Sequence, residues 1–172
     1  MEKIFNISVF TENRIGILNR ITIIFTRRHL NIESITASES EVKGVYRYTI
    51  VVKTDVEQVK KVVGQIERQV EVLKAFYHAD EDVVHQEIAL YKIPTQAFLK
   101  GETESVIHEH NARILAVEEA FIIIEKTGQP KELDQLFEDL DQFDVLEFVR
   151  SGRVAISKPM KTLKSYLHEL EH

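Results

Sequence analysis

The sequence contains no cysteine. That removes disulfide staples and thiolate zinc sites and fits a reducing cytoplasm, so the expectation is a cytoplasmic protein. Glycine is scarce, with six in 172 residues. Neither a Gly-rich phosphate loop nor a Gly-x-Ser-x-Gly elbow occurs, which argues against a nucleotide site or a hydrolase elbow. Long apolar runs are missing too. The longest near the start, "ITIIF", falls far short of the ~20 residues a membrane helix needs, and "MEKIFNISVF" is too short and polar for a signal peptide. Basic excess is also lacking. With 22 basic and 28 acidic residues the net charge is −6, so no nucleic-acid footprint is expected.

What the chain does have is apolar substance, 44% of its residues, enough to bury a core. "IFNISVF" alternates, with Phe5, Ile7 and Val9 on one face and Asn6 and Ser8 opposite, as in a half-buried strand. A helix follows from about Gly16 to Arg28, with Ile17, Leu18, Ile21, Ile24 and Phe25 on one stripe and Asn13 as a capping candidate. "NIESITASES" and "VYRYTIVV" read as strands around a turn at Gly44. Tyr46, Tyr48, Ile50 and Val52 share a face of the second of these. Thr54 or Asp55 caps a helix carrying Val56, Val59, Val63, Ile66 and Val70. "VLKAFYH" closes the unit. The order is β-α-β-β-α-β, the ferredoxin-like pattern.

"HADEDVVHQE" reads as a linker, and then the order repeats. "EIALYKI" is a strand, Glu102 to Asn111 a helix, and "RILAV" and "AFIIIEK" strands around an "EEA" turn. Pro130 suits a helix start, with Leu133, Leu136, Phe137 and Leu140 amphipathic behind it. "DVLEFV" is the last strand, followed by "RSGRVAIS". The fold class is therefore α+β, two ferredoxin-like units. Residues 1–78 and 79–160 form the two domains, and 161–172 a tail that reads as a short surface helix ending in the tag-like "LEH".

Chemistry-bearing residues are numerous but scattered. His108 and His110 have a His-x-His spacing, yet on a helix i and i+2 point apart, so surface histidines and no metal site are expected. Paired acids such as Glu118/Glu119 and Asp139/Asp141 suit a solvated face. No catalytic residue stands out. The stretch from Asn13 to Ile32 is different. A helix N-terminus offers unpaired N–H groups and partial positive charge to a carboxylate, and Gly16 there leaves the backbone open to a ligand. Asn13 and Asn31 each carry an amide donor and acceptor, which an α-amino acid needs, and Ile15, Ile17 and Ile32 could line an aliphatic pocket. The plainer alternative is that Asn13 caps, Gly16 eases a turn and Asn31 starts a strand.

"ENRIGILNRITIIFTRRHLNIESI" resembles the ACT domain, in which a polar loop and glycine open the first helix and Asn-Ile begins the second strand. With "VLKAFYH", "EIALYKI" and "FVRSGRVAISKP" in order, nearly all of 1–160 resembles the small regulatory subunit family of acetolactate synthase (acetohydroxyacid synthase). The resemblance implies a non-catalytic protein that activates a separate catalytic subunit and confers feedback inhibition by a branched-chain amino acid, usually valine. It makes residues 1–78 the ACT domain, responsible for effector binding and homodimerisation. The effector site falls on Asn13, Gly16 and Asn31, surrounded by Arg14, Ile15, Ile17 and Ile32, with the glycine loop from one chain and the asparagine from its neighbour. Thiamine diphosphate, magnesium and FAD are expected only on the catalytic partner. Rival readings are a stand-alone ACT-domain amino-acid sensor or transcription regulator, and an acylphosphatase-like enzyme on the same fold.

Overall fold

The computed structural model describes residues 1–159 and 163–168. Strand β1 (Lys3–Glu12) runs through the middle of a four-stranded antiparallel sheet of order β2-β3-β1-β4. β3 (Val45–Thr54) lies on one side with Ile7 opposite Ile50, and β4 (Val72–Ala79) on the other with Ile7 opposite Tyr77. β2 (Ile32–Glu39) forms an edge. Gly44, at φ 82°, makes the turn into β3. Helices α1 (Ile17–Arg27) and α2 (Val56–Ile66) supply Ile17, Ile21, Ile24, Phe25, Val59, Val62, Val63 and Ile66 to the core over Phe5, Ile7, Val9, Tyr48, Ile50 and Val52. Asp55 caps α2, its carboxylate accepting from Gln58 N at 2.8 Å.

Several details depart from the sequence expectation. Leu18 and Val56 are exposed, because each sits at the shoulder of its helix, and Val70 lies beyond the end of α2. Asn13 does not cap α1; Gly16 holds the N-cap position, without any side-chain cap. Asn6 and Ser8 are buried, not solvated. Their face of β1 is covered from the far end of the chain. Arg153, 5% exposed, donates to Asp80 at 2.5 Å and to Asn6 Oδ1 at 3.1 Å. The Arg47 guanidinium donates to Ala155 O at 2.6 Å, and Thr36 Oγ1 to Arg153 O at 2.9 Å.

By compactness the chain divides along different lines from the sequence reading. The first compact unit is Met1–Val84 together with the segment from Arg153 onward, and the second is His85–Gly152, rather than 1–78 and 79–160. The supposed linker is structured: a 3-10 turn over Asp80–Asp82 leads straight into β5 (Val83–Pro94). The returning strand β9 (Val154–Ser157) pairs with β5, and Lys158 N donates to Asp82 O at 2.9 Å. Helix α6 (Leu163–His168) brings Leu163 against Phe10 and Val45. The "LEH" stretch lies outside the described residues.

The second unit repeats the topology, with sheet order β6-β7-β5-β8. After β5 come α3 (Thr95–Leu99), unforeseen in the sequence, α4 (Glu102–Glu109), which stops short of Asn111, β6 (Arg113–Val117), β7 (Phe121–Gly128), α5 (Pro130–Asp141) and β8 (Glu147–Arg150). Pro130 opens α5, and Gln129 N donates to the Glu132 carboxylate at 2.6 Å. Leu133, Leu136 and Leu140 pack over Tyr91, Ile93, Ile122 and Ile124. Tyr91 is fully buried and satisfied by Leu133 O at 2.7 Å.

Candidate functional site

The loop from β1 into α1 ends on Gly16 at φ 86°, ψ −4°, a left-handed conformation that side chains other than glycine adopt at a cost. A Cβ there would meet nothing within 4 Å, so the position faces open space. No acidic residue sits in the first turn of α1, and the N–H groups of Leu18 and Asn19 donate to nothing among the described residues. The mouth is therefore an uncapped positive helix end. Nearby charges are already matched: Arg14 with Glu12 at 3.1 Å, and Arg20 with Glu71 at 2.6 Å.

The far end of α1 is shaped by a Schellman turn. His29 takes φ 53° and donates its N–H to Thr26 O at 3.1 Å, while Leu30 N reaches back to Phe25 O at 3.0 Å. This reversal delivers Asn31, exposed, to the start of β2. Of the predicted site residues, Asn13, Arg14, Ile15 and Gly16 cluster, exposed, at the mouth. Ile17 does not line a pocket; it is 2% exposed and belongs to the core, and Ile32 packs against that core. Eleven helical residues at about 1.5 Å each separate the mouth from Asn31 by roughly 16 Å. A single chain does not bring the two together.

The second unit supplies an internal comparison. Gly101 opens α4 at φ 84°, and Asn111 at φ 49° closes it with the same pair of backward hydrogen bonds. Here the first turn carries Glu102 and Glu104. Those carboxylates put negative charge in the first turn of α4, where the first turn of α1 has none. The His-x-His pair diverges: His108 lies 3.9 Å from Glu104 on the surface, and His110 Nε2 lies 2.6 Å from Asp139.

Sequence reasoning overlooked two clusters. One is the Arg153–Asp80–Asn6 set, in which Arg153 and Asn6 are buried and Asp80 is half-buried. The other is a group of cations, Arg27, Arg28, Lys60, Lys61 and Arg68, along a depression beside α1 and α2. "TRRH" and the helical spacing of Lys60, Lys61 and Arg68 were the available signals for the second. Nothing local marked the first, whose members are separated by 73 and 147 positions.

Residues 7–74 match the family described as AHAS small subunit-like ACT domain, and 86–159 match the family described as small subunit of acetolactate synthase. The acetolactate synthase small subunit of Bacillus subtilis is 35% identical over 162 residues, covering 92% of this chain and 91% of its own length. The chain belongs to the acetolactate synthase small-subunit family. A probable small subunit from Archaeoglobus fulgidus is 32% identical, over 90% of this chain and 97% of its own. The crystal structure of the Thermotoga maritima acetolactate synthase small subunit superposes with a TM-score of 0.82 at 29% identity, over 92% of this chain and 99% of that one. As a member of this family the chain carries an ACT domain in its first unit. Among the described residues no helix is long and apolar enough to cross a membrane.

Proposed function

We propose that this small subunit binds the acetolactate synthase catalytic subunit, raises its activity and makes it sensitive to a branched-chain amino acid, with valine the first candidate, and that it has no catalytic role of its own. One observation carries the ligand part of this reading: an uncapped helix mouth with a left-handed glycine, free N–H groups and no acid in its first turn, in contrast to the similarly built mouth of α4, whose first turn carries Glu102 and Glu104. The amino acid's carboxylate sits on the Leu18 and Asn19 N–H groups. Its ammonium needs acceptors that the mouth alone lacks. The amide of Asn31 supplies them if it comes from a second copy, since the roughly 16 Å along α1 rules out the same chain. The working form is then a homodimer paired through the first unit, with β2 as a free sheet edge.

Asn13, Arg14 and Ile15 surround the bound amino acid, Ile15 offering apolar contact to its side chain. Ile17 and Ile32 act from beneath by fixing the backbone. A ligand held by both copies binds only the paired arrangement and so shifts its population; coupling of roughly 1–3 kcal/mol is enough for feedback control. Thiamine diphosphate, magnesium and FAD belong to the catalytic partner. The test is reconstitution. The purified chain alone should convert no pyruvate to acetolactate. Added to the catalytic subunit, it should raise the rate and introduce inhibition by valine, leucine or isoleucine. Acetolactate synthesis by the isolated chain would refute the reading, as would a mixture indifferent to both additions.

A further inference from the structure

A depression of about 420 Å³ lies between α1 and α2, lined by Arg27, Arg28 and Arg68, and a neighbouring one continues along α2 past Lys60, Lys61 and Gly64. Five cations on one face are unexpected in a chain of net charge −6. Little inside the described residues answers them. Lys61 has Glu57 at 3.8 Å. Arg28 is held by neutral amides, Gln65 at 2.9 Å and Gln58 at 3.3 Å. Arg27, Lys60 and Arg68 pair with no carboxylate among the described residues. Arg27 and Arg28 end α1 and Arg68 follows the end of α2, positions where helix dipoles favour cations; gathered on one face, the five charges still project a positive field that an anionic surface would meet.

Gly64 is a second, independent observation. It lies inside α2, where glycine weakens a helix relative to alanine. A Cβ at this position would meet nothing within 4 Å, and its φ is not one that glycine alone adopts. Neither packing within the chain nor backbone geometry accounts for it. Its effect is to bare the backbone of α2 in the middle of the cationic face, so that an approaching surface can come closer there than anywhere else along the helix.

We infer that the α1–α2 face is where the small subunit docks on an acidic surface of the acetolactate synthase catalytic subunit, the partner backbone seating over Gly64. This rests on the functional reading above. A protein surface fits better than a small anion: the cations run from Lys60 and Lys61 on α2 to Arg68 in the turn after it and continue onto the end of α1, and no charged group converges on one buried point. Oppositely charged faces of this kind set association rate and specificity, and they weaken with salt.

The experiment measures activation of the catalytic subunit against small-subunit concentration at several ionic strengths, for the wild type, Lys60→Glu/Arg68→Glu and Gly64→Leu. Lys60 and Gly64 lie on α2 and Arg68 in the turn after it, and none belongs to the proposed valine site, so valine binding by the isolated small subunit serves as a control for folding. The double reversal should raise the half-activating concentration at least tenfold and flatten its salt dependence. Gly64→Leu should raise it with the salt dependence kept, and valine binding should be unchanged in both. Wild-type activation curves for the two variants overturn the docking face alone. A wild-type chain that neither binds nor activates the catalytic subunit overturns the functional reading and this one with it. Stoichiometric binding of tripolyphosphate, lost in the double reversal while activation stays normal, assigns the groove to a small anion and also overturns the proposal.

Discussion

A comparison of Gly16→Asn with Gly16→Asp isolates the charge at the helix mouth. Both side chains have the same size and the same backbone to accommodate. At φ 86° either carries strain of about 1 kcal/mol, and neither meets a steric obstacle, since a Cβ at position 16 has nothing within 4 Å. The two variants should therefore melt within a degree or two of each other. Only the aspartate places a negative charge where a ligand carboxylate would sit. At about 4 Å that repulsion costs about 1 kcal/mol in bulk water and about 4 kcal/mol at an effective dielectric of 20. The loss of affinity for valine in Gly16→Asp relative to Gly16→Asn is then between about fivefold and several hundredfold. Calorimetric titration of both proteins, beside inhibition curves of the reconstituted holoenzyme, measures it directly. Equal valine affinity in the two variants would refute a carboxylate at this mouth.

Three further outcomes are expected. Asn31→His should weaken valine binding by about 1–3 kcal/mol, the consequence of a ligand polar group losing its amide partner in a closed site, with the melting temperature nearly unchanged because Asn31 is exposed. Arg153→Met should destabilise the first unit by about 2 kcal/mol in urea unfolding; Asp80 is 39% exposed, so water replaces part of what a sealed pair would lose. Burial, offset in part by Asp82 and reinforced by Arg47, holds the His78 imidazole below its ordinary range. The unfolded chain then takes up a proton near pH 6.5 that the folded one refuses, so stability is full above that pH and declines below it until the folded imidazole also protonates. His78→Gln should flatten the fall in melting temperature between about pH 7 and 5.

Periodicity made both β-α-β-β-α-β units legible, because alternating and helical apolar spacings are local properties. It located the buried positions of α1, α2 and α5 well and misjudged Leu18, Val56 and Val70, which lie at helix shoulders or past a helix end. Asn6 and Ser8 could not be read as buried, since what covers them is Arg153 and the strand after it, remote in sequence. The pairing of Arg153 with Asp80 is likewise a tertiary fact without a local pattern. Gly16 and Asn31 were singled out correctly as flanking α1, and glycine at position 16 permits the left-handed geometry found there. Ile17 stood on the apolar stripe of α1 with Ile21, Ile24 and Phe25 as well as in the candidate pocket, and the structure gives it to the core.

The crossing of the chain between units has a practical consequence for dissection. Asp82 and Lys158 are hydrogen-bonded neighbours at 2.9 Å, and β9 runs beside β5, so the polypeptide leaves the first unit and returns to it at adjacent strands. Topologically, residues 85–152 are a cassette spliced into a regulatory module whose two halves are stitched by Arg153. Cutting the gene after Tyr77 would discard that stitch and uncover Asn6 and Ser8. Excising 85–152 and sealing the gap with a short Gly-containing turn keeps it. The excised protein should melt well above the simple truncation and, if the proposed effector site is right, should match the full chain in valine affinity, which turns the regulatory module into a separable reagent.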